Sequence, residues 1–205
     1  MGTKEPIYFE YGTEEIEYLK SADPIMGEVI TRIGTVKRVV IPDLFAALMN
    51  AMVSQLVSTK AAQTIWDRMQ ERFGEITPEN MSKQPADAIQ QCGMTMKKAV
   101  YIQNAARMVQ EGVLDLQALD EQSDDEVVQS LSSLPGVGRW TAEMLLIHSM
   151  QRRDVVSWGD LAIRRGMMKL YELPDLTKKQ FETYRQRYSP YGTIASFYLW
   201  AVAAE

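Results

Sequence analysis

Apolar residues recur along this chain mostly at helical intervals. From Asp43 to Leu56 they fall at Leu44, Ala47, Leu48, Ala51, Met52 and Leu56, a period near 3.6 that predicts a helix with one buried face. Local punctuation frames further helices. Asp23 before Pro24 reads as a cap with proline at the first helical position, and Gly34 as the matching stop. Ser58 opens a helix that runs to Phe73 and stops at Gly74, and Thr95 opens another that ends at Gly112. Ser123-Asp124-Asp125-Glu126 is a capping box, and Thr177 to Gln180 repeats that signal ahead of Phe181, Tyr184 and Tyr188. A last helix follows Pro190 and carries Phe197, Tyr198, Leu199 and Trp200. Alternation of the strand type is confined to Ile7–Tyr11 and Thr35–Val40, neither with the turn chemistry of a hairpin. The expectation is an all-α protein of about ten short helices.

Composition narrows the function classes. With 46% apolar and 24% charged residues, the chain is ordinary globular material. The single cysteine, Cys92, excludes an internal disulfide framework and any multi-cysteine cluster, and fits a reducing compartment. One histidine, His148, cannot build a histidine metal cluster, so no metal site is expected. The 13 methionines read as an adaptable helical core. The first residues lack the apolar core of a signal peptide, and Leu44–Val57 is too short and too polar to span a bilayer. No membrane role is expected, and a cytoplasmic location is, nucleoid-associated in a bacterium or archaeon and nuclear in a eukaryote. The net charge of −5 argues weakly against polyanion binding but hides a division. Met108–Gly138 holds no Lys or Arg and many acids, whereas basic residues outnumber acidic ones from Gly136 to Tyr188. Local potential governs polyanion contact more than the total does.

The sharpest motif is Leu134-Pro135-Gly136-Val137-Gly138, followed by Arg139-Trp140-Thr141-Ala142. One helix ends near Leu131 and another starts near Arg139. Two glycines let the backbone approach a ligand closely. The turn delivers free N–H groups and the positive end of a helix dipole, a phosphate-sized site. Such contacts position nucleic acid without reading its sequence. Downstream stands Asp154-Val155-Val156-Ser157-Trp158-Gly159-Asp160-Leu161, then Arg164-Arg165-Gly166. Read locally, Asp160 is either the cap of the helix beginning at Leu161 or a functional carboxylate, and the two roles are compatible.

This string resembles the helix–hairpin–helix element of the DNA glycosylase superfamily to which endonuclease III belongs. The layout around Asp160 is similar to that of the 3-methyladenine DNA glycosylase II family. Met52–Ala62, Gly93–Ala99, Ser189–Gly192 and Tyr198–Trp200 resemble further family stretches, so the likeness runs from about Asp23 to Trp200. The resemblance implies a monofunctional glycosylase that flips alkylated purines out of double-stranded DNA and hydrolyses the N-glycosidic bond. It implies two helical lobes with an interlobe DNA-binding cleft: a barrel lobe over residues 43–153, and a second lobe of residues 1–42 with 154–205. Longer bacterial members carry an N-terminal β domain for which 205 residues are expected to leave no room; a monomer is expected, with no cofactor beyond a monovalent cation held by hairpin carbonyls.

Residue by residue, the resemblance makes Asp160 catalytic, with Asp154 as the rival carboxylate. The base pocket draws on Trp140, Trp158, Gln55 and Met144, where the best-known bacterial branch carries a tyrosine at the last position. Core packing is the competing reading for both tryptophans. DNA contacts fall to Leu134, Gly136, Val137, Gly138, Arg139, Thr141 and Lys60. Ile76, in the turn Phe73–Pro78, is the expected intercalating wedge. An arginine is usual near Gly192, and the lysines at 97 and 98 read as solvated. Strand-cutting relatives form a Schiff base with a lysine two residues after the second glycine, where this chain has Trp140, and their four-cysteine loop cannot be built with Cys92 alone. Two alternatives stand: a non-catalytic helix–hairpin–helix DNA-binding module, and a glycosylase for deaminated or mismatched bases. The latter needs an acid for its neutral leaving group, with Gln55 or His148 as available hydrogen-bond donors.

Overall fold

The computed structural model describes residues 5–205. Its elements run in chain order as β1 (Ile7–Tyr8), α1 (Thr13–Ala22), α2 (Pro24–Ile33), β2 (Val39–Val40), α3 (Leu44–Ser54), α4 (Thr59–Phe73), α5 (Pro78–Ser82), α6 (Ala86–Gln90), α7 (Met96–Gln110), α8 (Asp124–Ser132), α9 (Arg139–His148), α10 (Leu161–Leu170), α11 (Lys178–Tyr188) and α12 (Gly192–Ala204). A short 3-10 turn, Ala118–Glu121, precedes α8. The class is all-α, as the periodicity predicts. The caps read from the sequence act as caps: the side chains of Asp23, Ser58, Thr95 and Thr177 each accept a backbone N–H in the first turn that follows, and Asp43 does the same ahead of α3. The two lone strand patterns pair with each other, Ile7 opposite Val40 and Tyr8 opposite Val39, antiparallel. Among the described residues no helix is long and apolar enough to cross a membrane.

The chain divides into two compact units, one of residues 1–40 with 146–205 and one of residues 41–145. In the 41–145 unit, α7 packs on α3, α5 and α6, and α3 packs on α4. Its core is rich in methionine: Met49, Met52, Met69 and Met81 are almost fully buried beside Leu48, Ile89, Ile102 and Leu131. Unbranched thioether chains fill the irregular gaps left by short helices meeting at varied angles.

In the other unit α12 is the central rod, buried from Gly192 to Leu199 and packed on α10, α2 and α11. The buried Asp23 ties this unit together. One oxygen caps α2 at Met26, and the other accepts from the Tyr171 hydroxyl at 2.7 Å and Arg187 at 3.1 Å. A carboxylate this buried persists because several donors satisfy it.

Candidate functional site

In the 41–145 unit the hairpin joins α8 to α9. The turn closes through Val137 N–H donating to the Leu134 carbonyl at 3.0 Å. Leu134 and Val137 are buried and anchor the turn from inside the unit, where the sequence reading had placed them against DNA. Gly136 is required twice over: its φ is +87°, and a Cβ there would stand 2.4 Å from the Tyr101 ring. Around Gly138 a Cβ would meet nothing within 4 Å, which leaves open space at the start of α9 for a close ligand.

The amide of Gln55 clasps this hairpin, donating to the Gly136 carbonyl at 2.9 Å and to Thr141 Oγ1 at 3.1 Å. Gln55 therefore binds the hairpin with the amide group expected to face a base. Thr141, expected to touch the DNA backbone, is 4% exposed and accepts from Gln55 instead. Arg139 is exposed and shared between Glu143 at 2.8 Å and Asp125 at 3.2 Å. Lys60 is exposed in the first turn of α4, Met144 is half-buried, and Trp140 is 43% exposed on α9.

The expected wedge needs correction. Ile76 is buried at 6%, where it fills the unit's own core. Among the large apolar residues described in this unit, Leu56 stands out furthest, at 105% of its reference area and with φ at +58°. The helical period had absorbed Leu56 into α3, but α3 ends at Ser54. A left-handed leucine costs about 1–2 kcal/mol, so the local structure must hold it there. In the sequence, the family likeness of Met52–Ala62 and the singling out of Gln55 pointed to this loop but not to Leu56 itself.

In the unit of residues 1–40 and 146–205, Asp160 caps α10. Its Oδ1 accepts three N–H donors: Ala162 and Ile163 backbone at 2.9 Å each, and the Trp200 indole at 3.2 Å. The side chain retains only 8% exposure. Trp200 was read only as part of the closing helix. It stacks with His148 at 5.6 Å and 16° between planes, and the Arg38 guanidinium lies 5.4 Å from its ring centre. No spacing rule joins positions 160 and 200, so sequence reasoning missed this contact.

Burial pushes the His148 imidazole below its ordinary value of 6.5, against the raising influences of the Val39 backbone and Asp160. The unfolded chain therefore takes up a proton near pH 6.5 that the folded chain refuses. Stability is full above that pH and falls as pH drops below it. Urea midpoints measured either side of pH 6.5 are expected to fall with acid, and His148→Gln is expected to lessen that drop. An equal drop in the variant contradicts the assignment.

Trp158 is engaged in packing, with Arg164 4.8 Å from its ring centre and the Phe181 ring at 5.2 Å, edge-on. Asp154, the rival carboxylate, accepts from Ser189 Oγ at 2.5 Å and from Gly192 N–H at 3.1 Å, so it braces the entry to α12. A Cβ at 192 would lie 2.7 Å from that same carboxylate, so the close entry to α12 calls for glycine there.

Residues 49–190 match the family described as HhH-GPD superfamily base excision DNA repair protein. The DNA-3-methyladenine glycosylase 1 of Schizosaccharomyces pombe is 32% identical over 161 residues, covering 76% of this chain and 71% of that protein. A solved DNA-3-methyladenine glycosidase from Bacillus halodurans is similar at a TM-score of 0.84 and 31% identity, over 96% of this chain and 92% of that one. The S. pombe 3-methyladenine DNA glycosylase in complex with abasic DNA is similar at 0.79 and 27%, over 92% and 95%. The family match spans well over half of the sequence and includes the hairpin and Asp160, and on that ground the chain belongs to the HhH-GPD superfamily of base excision DNA repair proteins.

Proposed function

We propose that the protein is a monofunctional DNA glycosylase that extrudes alkylated purines of the 3-methyladenine type and hydrolyses their N-glycosidic bond. The observation that carries this reading is the Asp160 carboxylate, fixed by three N–H donors in a poorly hydrated setting beside Trp200. Alkylation of a ring nitrogen makes the purine cationic and a good leaving group. Its departure leaves oxocarbenium character on the sugar, and a fixed carboxylate stabilises that charge where water is scarce. The same group orients the water that attacks the sugar carbon.

The other parts take complementary roles. The hairpin backbone from Gly136 to Arg139 grips a phosphate of double-stranded DNA. Leu56 fills the gap left in the stack by the everted nucleotide, and Trp140 offers an exposed aromatic face to a cationic base. Relatives named as 3-methyladenine glycosylases, one of them solved with abasic DNA, support the substrate class.

A glycosylase for neutral deaminated bases needs an acid, and neither candidate, Gln55 or His148, supplies one. The Gln55 amide is spent on the hairpin, and burial keeps the His148 imidazole short of its proton. The position of the Schiff-base lysine is Trp140. Incubation with methylated duplex DNA is expected to free 3-methyladenine, identified by chromatography, and to leave abasic sites in uncut strands. Borohydride is expected to trap no protein–DNA adduct. Tight DNA binding without base release contradicts the activity, and a trapped adduct contradicts the monofunctional mechanism.

A further inference from the structure

Lys98 stands in the first turn of α7, where the sequence suggested a solvated charge. Instead its ammonium is half-buried and donates to two carbonyls of another segment, Val53 at 2.9 Å and Gln55 at 2.7 Å. These lie at the C-terminal end of α3, where carbonyls lack helical partners and a cation is favoured. The last turn of α3 contains no basic residue of its own. Burial pulls the Lys98 pKa below 10.5, so dehydrating this ammonium is costly and the two carbonyls offset that cost.

We propose that Lys98 is a positioning residue for base eversion, holding the carbonyl of Gln55 so that Leu56 stands out from the surface in its left-handed conformation. The inference rests on the reading of Leu56 as the wedge. An exposed leucine with φ at +58° has no packing of its own to hold it. The peptide that precedes it is gripped from both sides. Lys98 holds the Gln55 carbonyl, and the Gln55 side chain holds Gly136 and Thr141. Two residues of α7 therefore brace both DNA-facing loops, because Tyr101 also lies against Gly136. Wedge and phosphate grip are then set at a fixed spacing, as insertion into a stack beside a gripped backbone demands.

The test is a double-mutant cycle of Lys98→Met, which keeps the stem and removes the charge, with Leu56→Ala. Three quantities are measured for each protein: affinity for undamaged duplex, the single-turnover rate of base release, and the fluorescence of 2-aminopurine placed opposite the lesion. Lys98→Met is expected to keep its affinity, lose the fluorescence change and release base about 10²-fold more slowly, the usual consequence of an ångström-scale misplacement. The double variant is expected to be no slower than Leu56→Ala alone. Effects that add in full, or a wild-type rate in Lys98→Met beside a slow Leu56→Ala, overturn the role of Lys98. A wild-type rate in Leu56→Ala instead overturns the wedge reading, and the Lys98 proposal with it. If Lys98→Met does not fold, Lys98→Gln, with a neutral donor of shorter reach, carries the same readings.

Discussion

Gly166→Ala is expected to lower the melting temperature by on the order of 10 °C and to cost activity with it. Helices α10 and α12 cross so closely that a Cβ on Gly166 would lie 2.0 Å from the Leu199 carbonyl oxygen and 2.7 Å from its carbon. The obstacle is backbone inside a helix, which cannot rotate away as a side chain does. One helix must move, and overpacking of this kind costs roughly 1–3 kcal/mol or more. At about 2–4 °C per kcal/mol for a chain of this size, the upper end gives the stated shift. The displacement also reaches the site. Trp200 follows Leu199, and its indole donates to Asp160 on the N-terminus of α10. Thermal unfolding followed by circular dichroism measures the first effect and base release the second. An unchanged melting temperature contradicts the close crossing.

Most helices were legible because their signals are local. A cap and the N–H it accepts lie within a few residues, so Asp23, Ser58, Thr95 and Ser123 announced their helices without reference to the rest of the chain. The β1–β2 pair was not legible, because its strands are separated by α1 and α2 and no turn chemistry links them. Helix α1 was missed because its sequence, Thr13–Ala22, is polar and offers only Gly12 as a cap.

The glycines of the hairpin and the carboxylate at 160 declared themselves through spacing and resemblance. Their supports did not. Gln55 reaches the hairpin across 81 positions, and Trp200 reaches Asp160 across 40. Tertiary packing creates such contacts, and no local period encodes them. Leu56 was misread for a related reason. It continues the apolar stripe of α3, but the helix ends at Ser54 and Gln55 already caps it, so the stripe's last member turns outward.

Asp160→Asn is the substitution with the largest expected effect on activity. Asparagine is as good a helix cap as aspartate. Its side-chain oxygen can accept the same N–H donors from Ala162, Ile163 and Trp200, so the fold and duplex affinity are expected to be preserved. Only the negative charge is removed, and in a site with so little water nothing mobile replaces it. Losing one preorganised electrostatic partner of a transition state costs about 10²–10³-fold in rate, and removal of a full charge belongs at the upper end. In the proposed mechanism Asp160 acts on the sugar and not on the base, so the loss is expected for every alkylated base the protein removes.

The most direct measurement is therefore single-turnover release of an alkylated purine from a defined duplex by the wild type and by Asp160→Asn, with duplex affinity measured alongside. A catalytic carboxylate at Asp160 predicts equal affinity and a rate lower by about 10³-fold in the variant. Release at the wild-type rate by the variant would contradict it.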